Sequence, residues 1–240
     1  MKTALITGAN KGIGFGAARQ LAQQNIFVYL GCRRPEAGLQ AVNTLHEEGL
    51  ANTAFVELDV TSDESVKKAK EFIEQKSGSL DILINNAGIL NAMPEPGKSV
   101  PLKEIQRVFD TNFFGVIRVT QEFFPLLQKS SVPRIVNVTS ELGSLTHHSD
   151  PSWKYYRYKS TAYPPSKTAL NAYTVMLAHQ FINTPFKINA VNPGHTATEF
   201  NNYKGTLTPQ HAAKVIVTYA VIGEDGPTGK FLEEAGELPW

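Results

Sequence analysis

Tyr163 and Lys167 are the two residues in this sequence whose types and spacing best suit acid–base chemistry. On a helix, side chains four residues apart lie on the same face. A phenol has an ordinary pKa near ~10, and a neighbouring cation favours its ionised form, which brings proton transfer closer to neutral pH. The spacing alone is weak evidence, because most such pairs are simply a tyrosine and a lysine on one helix.

A glycine-rich segment near the N-terminus suits the binding of a pyrophosphate. It reads TGANKGIG over residues 7–14, after a short apolar run and before an amphipathic stretch. Gly8 would allow a sharp turn, Gly12 a close approach of the backbone to the anion, and Gly14 close packing of the helix on the sheet. The pattern predicts a dinucleotide-binding loop formed by Gly8, Asn10, Lys11, Gly12, Ile13 and Gly14. The alternative is a loop that only needs positive φ angles.

The end of the second predicted strand indicates which dinucleotide would bind. NAD sites usually carry an acidic residue there for the ribose 2′-hydroxyl, whereas residues 29–34 read YLGCRR and contain no carboxylate. The planar fork of an arginine suits a 2′-phosphate, and Lys11 could approach it from the glycine loop. We therefore expect NADP(H), bound by Arg33. A solvated pair of surface arginines is the alternative.

The elements that must position these residues alternate between strand and helix. Apolar runs predict strands at 3–7, 26–30, 54–58, 80–84, 134–138 and 186–191, and a weak one at 229–232. Amphipathic stretches predict helices at 12–24, 35–48, 101–127, 162–181 and 209–219, and a further helix that ends near 76 after a capping box at 61–64. This order predicts an α/β fold, a Rossmann-type doubly wound parallel sheet of about seven strands with helices on both faces. We expect one domain over 1–240, in which 141–161 forms an extended active-site loop.

Six short motifs occur in order on these elements. They are TGxxxGxG at 7–14, Asn85-Asn86-Ala87-Gly88, Asn112, Ser140, Tyr163-x-x-x-Lys167 and Pro193-Gly194. Together they resemble the short-chain dehydrogenase/reductase family over residues 2–232. Asn10-Lys11-Gly12-Ile13-Gly14 and Gly226-Pro227-Thr228-Gly229 resemble its carbonyl-reductase branch.

The resemblance implies a role for each member of a catalytic set. Ser140 would hydrogen-bond the substrate carbonyl, Tyr163 would donate the proton, and Lys167 would bind the nicotinamide ribose and favour phenolate. Asn112 would hold a water molecule that links Lys167 to solvent. Ser140 could instead cap a helix or turn, and Asn112 could bond its own helix.

The resemblance also implies further contacts with the cofactor. Asn86, Ala87 and Gly88 would lie along the adenosine ribose, Asp59 and Val60 would border the adenine, and the nicotinamide carboxamide would be surrounded by Pro193, Gly194, Thr196 and Thr198. Two features depart from the family pattern. Tyr163 is followed by Pro164-Pro165, which favours a place for Tyr163 at the very start of its helix, and it lies 23 positions after Ser140, a longer spacing than usual.

Substrate-facing positions follow only from their location in the chain. The candidates for a largely apolar pocket that would accept aryl or alkyl ketones are Leu90, Met93, Leu142, Trp153, Tyr156 and His195. Alternatively, the aromatic residues of 141–161 only anchor that loop. His147-His148 lacks an evident third ligand, so we expect no metal.

These patterns favour an NADPH-dependent reductase of ketones or aldehydes. The alternatives are an NADP-dependent dehydrogenase of steroid or sugar alcohols and a non-catalytic NADP(H)-binding sensor. A net charge of +1 argues against nucleic-acid binding. Cys32 is the only cysteine, and neither a signal peptide nor a membrane span is apparent, so we expect a cytoplasmic protein. The long helices could pair into a homo-oligomer, a dimer or tetramer, but the loop before Tyr163 could leave a monomer.

Overall fold

The structure, a computed structural model, describes residues 1–91 and 99–240. Within them the strands are Thr3–Thr7 (β1), Phe27–Cys32 (β2), Thr53–Glu57 (β3), Ile82–Asn85 (β4), Arg134–Val138 (β5), Lys187–Val191 (β6), Phe231–Glu233 (β7) and Gly236–Glu237 (β8). The α-helices are Gly12–Gln23 (α1), Pro35–Glu47 (α2), Asp63–Ser77 (α3), Leu102–Phe109 (α4), Gly115–Leu127 (α5), Leu145–Ser149 (α6), Tyr163–Gln180 (α7) and Pro209–Ala220 (α8).

All strands join one sheet in the order β3-β2-β1-β4-β5-β6-β7-β8. The first seven run parallel, and β8 is antiparallel to β7. The strand order reverses between β1 and β4, where a doubly wound sheet opens a crevice at the carboxyl ends of its strands. The predicted fold is confirmed. Among the described residues the one additional strand is β8, which has two residues and is too short to leave an alternating pattern.

Both faces of the sheet are buried, and this explains the continuous apolar runs of its strands. Ala4 and Ile6 of β1 belong to a core cluster shared with α1, α2 and α8. Leu5 between them belongs to the opposite cluster, shared with α3, α5 and α7. The sheet is thus fixed from two sides, and its carboxyl edge is a rigid support for loops.

Two local predictions differ from the structure. The expected helix over 101–127 contains a π-helical turn at Asp110–Phe114, between α4 and α5. The predicted capping box at 61–64 is wrong: Ser62 caps α3 by accepting a hydrogen bond from Ser65 N, 3.2 Å away. Thr61 instead donates its hydroxyl to Asp59 at 2.7 Å.

None of the helices formed by the described residues has the length and hydropathy needed to cross a bilayer.

Candidate active site

A cavity of about 1080 Å³ lies along the carboxyl edge of the sheet, at the strand-order reversal. This volume is at the upper end of the range typical of ligand pockets. Its lining includes every residue predicted to contact the cofactor: Gly8, Asn10, Lys11, Gly12, Ile13, Gly14, Arg33, Asp59, Val60, Asn86, Ala87, Gly88, Tyr163, Lys167, Pro193, Gly194, Thr196 and Thr198. The fold therefore brings together residues that are far apart in the chain.

The glycine loop has the shape that a phosphate cradle requires. Gly8 has a φ of 65°, which residues with a side chain rarely adopt. A Cβ on Gly14 would lie 2.5 Å from Asn86 Nδ2 and 2.8 Å from the carbonyl oxygen of Gly8. No described side chain caps the N-terminus of α1, so its N–H groups can receive an anion.

Asn86, the residue directly after β4, supports this loop. Its amide nitrogen donates to the carbonyl oxygens of Thr7 and Gly8, at 2.8 and 3.1 Å. The Thr7 hydroxyl in turn accepts from the backbone nitrogens of Asn86 and Ala87, at 3.0 and 2.9 Å. The amide of Asn86 thus braces the glycine loop against the neighbouring strand.

The mouth of the cavity near the end of β2 carries charges of both signs. Arg33 lines it, whereas Lys11 forms an exposed ion pair with Glu199, with 2.5 Å between Nζ and Oε2. Hydrogen bonding to Lys11 lowers the pKa of the Glu199 carboxyl, and the charge of Arg34 lowers it further. Asp59, on the opposite wall, accepts hydrogen bonds from the backbone and hydroxyl of Thr61. Lys11 and Arg33 are cations of this lining that a phosphate could meet.

Tyr163 and Lys167 are both buried beside the cavity, 7% and 4% exposed. Lys167 Nζ lies 5.8 Å from the centre of the Tyr163 ring and donates to the carbonyl oxygen of Val138 at 2.8 Å. The two side chains therefore occupy one face of α7, as their spacing predicts.

Burial controls the protonation of this pair. It raises the pKa of the Tyr163 phenol above its ordinary value, although a hydrogen bond with Ser140 acts in the opposite direction. It lowers the pKa of the Lys167 ammonium to about 8. In the protein alone, loss of solvation thus outweighs the other influences on the phenol, and a lowering of its pKa with oxidised nicotinamide bound stays a prediction.

Ser140 caps a turn, which was the alternative considered for it, and its role toward a substrate stays a prediction. Its hydroxyl accepts from the backbone nitrogen of Leu142 at 3.2 Å and so caps the short 3₁₀ turn Glu141–Gly143. It also hydrogen-bonds Tyr163 and lines the cavity. The cap fixes the hydroxyl beside the phenol.

Asn112 lies in the π-helical turn and is fully buried. Its Oδ1 accepts from the backbone nitrogen of Ile89 at 2.8 Å, and its Nδ2 donates to the Ile89 carbonyl oxygen at 2.9 Å and to Ser166 Oγ at 3.1 Å. The described residues that line the cavity include its neighbour Thr111 but not Asn112 itself. Asn112 Oδ1 and Lys167 Nζ nevertheless both lie within 4 Å of the point that a Cβ on Gly88 would occupy.

Tyr163 is the first residue of α7, ahead of its two prolines. Prolines are tolerated there because the first helical turn lacks intrahelical acceptors for its N–H groups. The backbone nitrogen of Tyr163 donates to Asn91 Oδ1 at 3.2 Å. Sequence reasoning missed Asn91, since nothing in the chain marks a contact between residues 72 positions apart.

The predicted substrate-facing residues fall into three groups. Leu90, Leu142 and His195 line the cavity. Trp153 and Tyr156 are not part of the lining formed by described residues: Trp153 stacks on His147, and Lys159 covers the ring of Tyr156. Met93 lies outside the described residues.

Other aromatic residues take their place. Tyr155, Tyr158, Phe200 and Tyr203 line the cavity, and the Phe200 ring lies edge-on to Tyr163 with 5.7 Å between centroids. The predicted loop is ordered by short helical turns, by the Glu141–Lys154 ion pair of 3.1 Å and by the Trp153–Tyr155 contact. The predicted place of Trp153 and Tyr156 in the pocket is therefore wrong for this structure, and their contacts fit the alternative, in which they anchor the loop.

Comparisons with known proteins agree with this arrangement. The family model described as short chain dehydrogenase matches residues 2–207. A (+)-neomenthol dehydrogenase from Capsicum annuum is 32% identical, over 95% of this chain and 94% of the relative.

Two solved structures have the same fold. Salutaridine reductase from Papaver somniferum superposes with a TM-score of 0.84 at 30% identity, covering 98% of this chain and 100% of that one. NADPH-bound carbonyl reductase from chicken fatty liver superposes with a TM-score of 0.84 at 27% identity, covering 100% and 99%. With the matched residues and the site geometry, these findings show that the chain belongs to the short-chain dehydrogenase/reductase family of oxidoreductases, which act on CH–OH and C=O groups.

Proposed function

We propose that the protein is an NADPH-dependent carbonyl reductase that converts ketones or aldehydes to alcohols. The observation that carries this proposal is the buried pair Tyr163 and Lys167, placed in the wall of a cavity whose other end has a glycine loop and Arg33. The cradle would admit a pyrophosphate, and a guanidinium in place of the usual acid favours a 2′-phosphate. When bound, NADPH supplies a hydride to the carbonyl carbon.

The residues of the chain would handle the proton. Because its pKa is raised, the Tyr163 phenol stays protonated at neutral pH and can donate to the carbonyl oxygen as negative charge develops there. The Ser140 hydroxyl, fixed beside the phenol, can donate a second hydrogen bond to the same oxygen.

Lys167 and Asn112 would restore the proton to the phenol. The pKa of Lys167, about 8, lets the amine lose and regain a proton near neutral pH. Asn112 Oδ1 is close to it and retains a second lone pair beyond the one used by Ile89. A water molecule held there would connect Lys167 to solvent.

The substrate end of the cavity favours apolar ketones. Leu90, Leu142, Tyr155 and Phe200 offer apolar surface, and His195 contacts Tyr155 at a ring distance of 6.1 Å. Two similar proteins are named neomenthol dehydrogenase and salutaridine reductase, and with this apolar surface we choose cyclic and aryl ketones as the first probes.

Tyr163→Phe tests the proposal. We expect the wild type to consume NADPH with members of a cyclic and aryl ketone panel, and Tyr163→Phe to lose about 10²- to 10⁴-fold in kcat, the usual contribution of a general acid. NADPH affinity, measured by fluorescence titration, should change little.

Tyr219→Phe is the matched control, because it removes a hydrogen-bonded phenol that is not part of the cavity lining and should retain activity within about tenfold. Unchanged turnover in Tyr163→Phe would reject the acid role. Turnover only with NADP⁺ and neomenthol or steroid and sugar alcohols would favour the dehydrogenase, and NADPH binding without any turnover would favour the sensor.

A further inference from the structure

The start of α7 needs outside support if Tyr163 is to keep one orientation. The N-cap residue Ala162 has no side chain that could cap the helix, and Pro164 and Pro165 have no N–H. The backbone N–H of Tyr163 is therefore the hydrogen-bond donor that can anchor the first residue of the helix from outside.

That donor meets Asn91 Oδ1 at 3.2 Å. Asn91 is 2% exposed, and its amide nitrogen donates to Ser160 Oγ at 3.2 Å. Ser160 Oγ also accepts from the backbone nitrogen of Ala162 at 3.4 Å. Asn91 and Ser160 thus hold the two successive N–H groups at which the helix begins.

The carbonyl side of Tyr163 is held as well. Its oxygen accepts from Ser166 Oγ at 2.7 Å, and Ser166 Oγ accepts from Asn112 Nδ2 at 3.1 Å. Asn112 bonds Ile89, two residues before Asn91. The peptide groups that flank the phenol are therefore tied twice to the segment after β4, which also lines the cofactor end of the cavity.

We propose that Asn91 is a positioning residue that fixes the Tyr163 phenol relative to the cofactor edge of the sheet, in place of the helix cap that the sequence lacks. The proposal rests on the proposed function, since it assigns Asn91 to the same proton transfer. Asn91 would act through the backbone of Tyr163, so its loss should reduce proton transfer while leaving the dinucleotide end of the cavity intact. A displacement of about 1 Å at a reacting group can reduce a rate about 10²-fold.

The test compares Asn91→Leu with Asn91→Asp. Leucine is of similar size but accepts no hydrogen bond, whereas aspartate keeps an oxygen for the Tyr163 N–H and can accept from Ser160. We expect Asn91→Leu to lower kcat about 10- to 100-fold with an unchanged Kd for NADPH, and Asn91→Asp to stay within about threefold of wild type.

A matched control separates positioning from general loss of packing. Asn189 lies on β6 and is 1% exposed. Its amide donates to the Pro227 carbonyl oxygen and accepts from the backbone nitrogen of Lys230, just before β7. Asn189→Leu removes a comparable set of bonds. It should lower the Tm about as much as Asn91→Leu does, without the loss in kcat.

Amide hydrogen exchange provides a readout independent of activity. Since Pro164 and Pro165 have no exchangeable amide, a peptide over 160–166 reports mainly on the backbone around Tyr163. We expect faster exchange of this peptide in Asn91→Leu, wild-type exchange in Asn91→Asp, and no change there in Asn189→Leu. If Asn91→Leu does not fold, Asn91→Ser, whose shorter side chain does not span to Tyr163, should show the same pattern.

Equal kcat in Asn91→Leu and Asn189→Leu, or a parallel rise in the Kd for NADPH, would overturn the positioning role. A wild-type protein that turns over no carbonyl or alcohol would instead refute the proposed function, and would do so before any variant is made.

Discussion

At the scale of single residues, Tyr163 and Lys167 show how burial sets the chemistry. Burial disfavours the charged form of each group, so it raises the pKa of the phenol and lowers that of the ammonium. Groups with strongly shifted pKa values concentrate at functional sites, where a protein keeps reactive groups at some cost in stability.

Lys167→Met should therefore stabilise the protein at neutral pH while abolishing turnover. The pKa is about 8 in the folded chain and 10.5 in the unfolded chain, so protonation favours unfolding. Below about pH 8 this linkage lowers the free energy of unfolding by on the order of 3 kcal/mol. The loss disappears as the pH rises toward 10.5. Allowing about 1 kcal/mol for the lost bond to Val138, we expect a gain of up to about 2 kcal/mol in urea denaturation at pH 7 without added nucleotide.

The gain should shrink when the same denaturation is repeated at pH 9.5. Lys67→Met, at an exposed position on α3, is the control and should stay within about 0.5 kcal/mol of wild type at both pH values. A destabilised Lys167→Met at pH 7, or a gain that grows with pH, would contradict the account.

The sequence predicts the residues of this site better than their environments. The glycine loop, Arg33, Tyr163 and Lys167 can be recognised because each has a type and spacing with a stated use. The raised pKa of Tyr163 depends on burial, and the support from Asn91 joins segments that are distant in the chain, so neither leaves a local pattern.

At the scale of elements, the glycine loop and the start of α1 form one close-packed unit with Asn86. This closeness depends on Gly14, because a Cβ there would overlap both the Asn86 amide and a backbone carbonyl. Because the carbonyl belongs to Gly8, the overlap can be relieved only if the glycine loop moves.

Gly14→Ala should consequently weaken NADPH binding. It should also destabilise the protein, because the overlap outweighs the higher helix propensity of alanine. We expect at least a tenfold higher Kd, about 1.4 kcal/mol, together with a loss of about 1–3 kcal/mol in stability. Fluorescence titration and thermal melting measure the two quantities.

Gly223→Ala is the control, since its Cβ would meet no atom within 4 Å. Wild-type affinity in Gly14→Ala would show that the loop relaxes without cost.

Element boundaries follow the sequence closely where caps and periodicity coincide, as in α2 and α8, each of which begins at a proline. The π-helical turn at Asp110–Phe114 was not predictable, because the amphipathic pattern runs through it without a break. Such turns often mark functional positions, and this one carries Asn112.

At the scale of the whole molecule, the cavity uses residues from nearly the full length of the chain, so binding at one end stabilises the entire fold. A ligand at about 100 times its Kd adds about 2.7 kcal/mol. For a chain of this size that corresponds to roughly 5–10 °C in Tm.

We predict that NADPH raises the Tm more than NADH does at equal concentration, and that Arg33→Ala reduces this difference. The reason is that Arg33 would bind only the 2′-phosphate, which NADH lacks. Arg157→Ala, an exposed arginine of the 141–161 segment, should leave the difference as it is. Equal losses for both dinucleotides in Arg33→Ala would reject the assignment to the 2′-phosphate.

The topology of the molecule could be predicted because strand–helix alternation leaves few arrangements for a parallel sheet. The identity of the substrate-facing aromatic residues could not. Trp153 and Tyr155 are two positions apart in an irregular segment, yet among them only Tyr155 lines the cavity. The turns that point the two side chains in different directions have no periodic sequence pattern.

The ion pair between Lys11 and Glu199 connects the two ends of the cavity through neighbouring positions in the chain. Glu199 precedes Phe200, whose ring covers one edge of Tyr163. A phosphate dianion that recruits Lys11 would compete with the carboxylate, and the segment above the phenol would lose one of the contacts that hold it. We expect the ketone to enter somewhat more readily after the reductant than before it, by no more than the small free energy of one exposed ion pair.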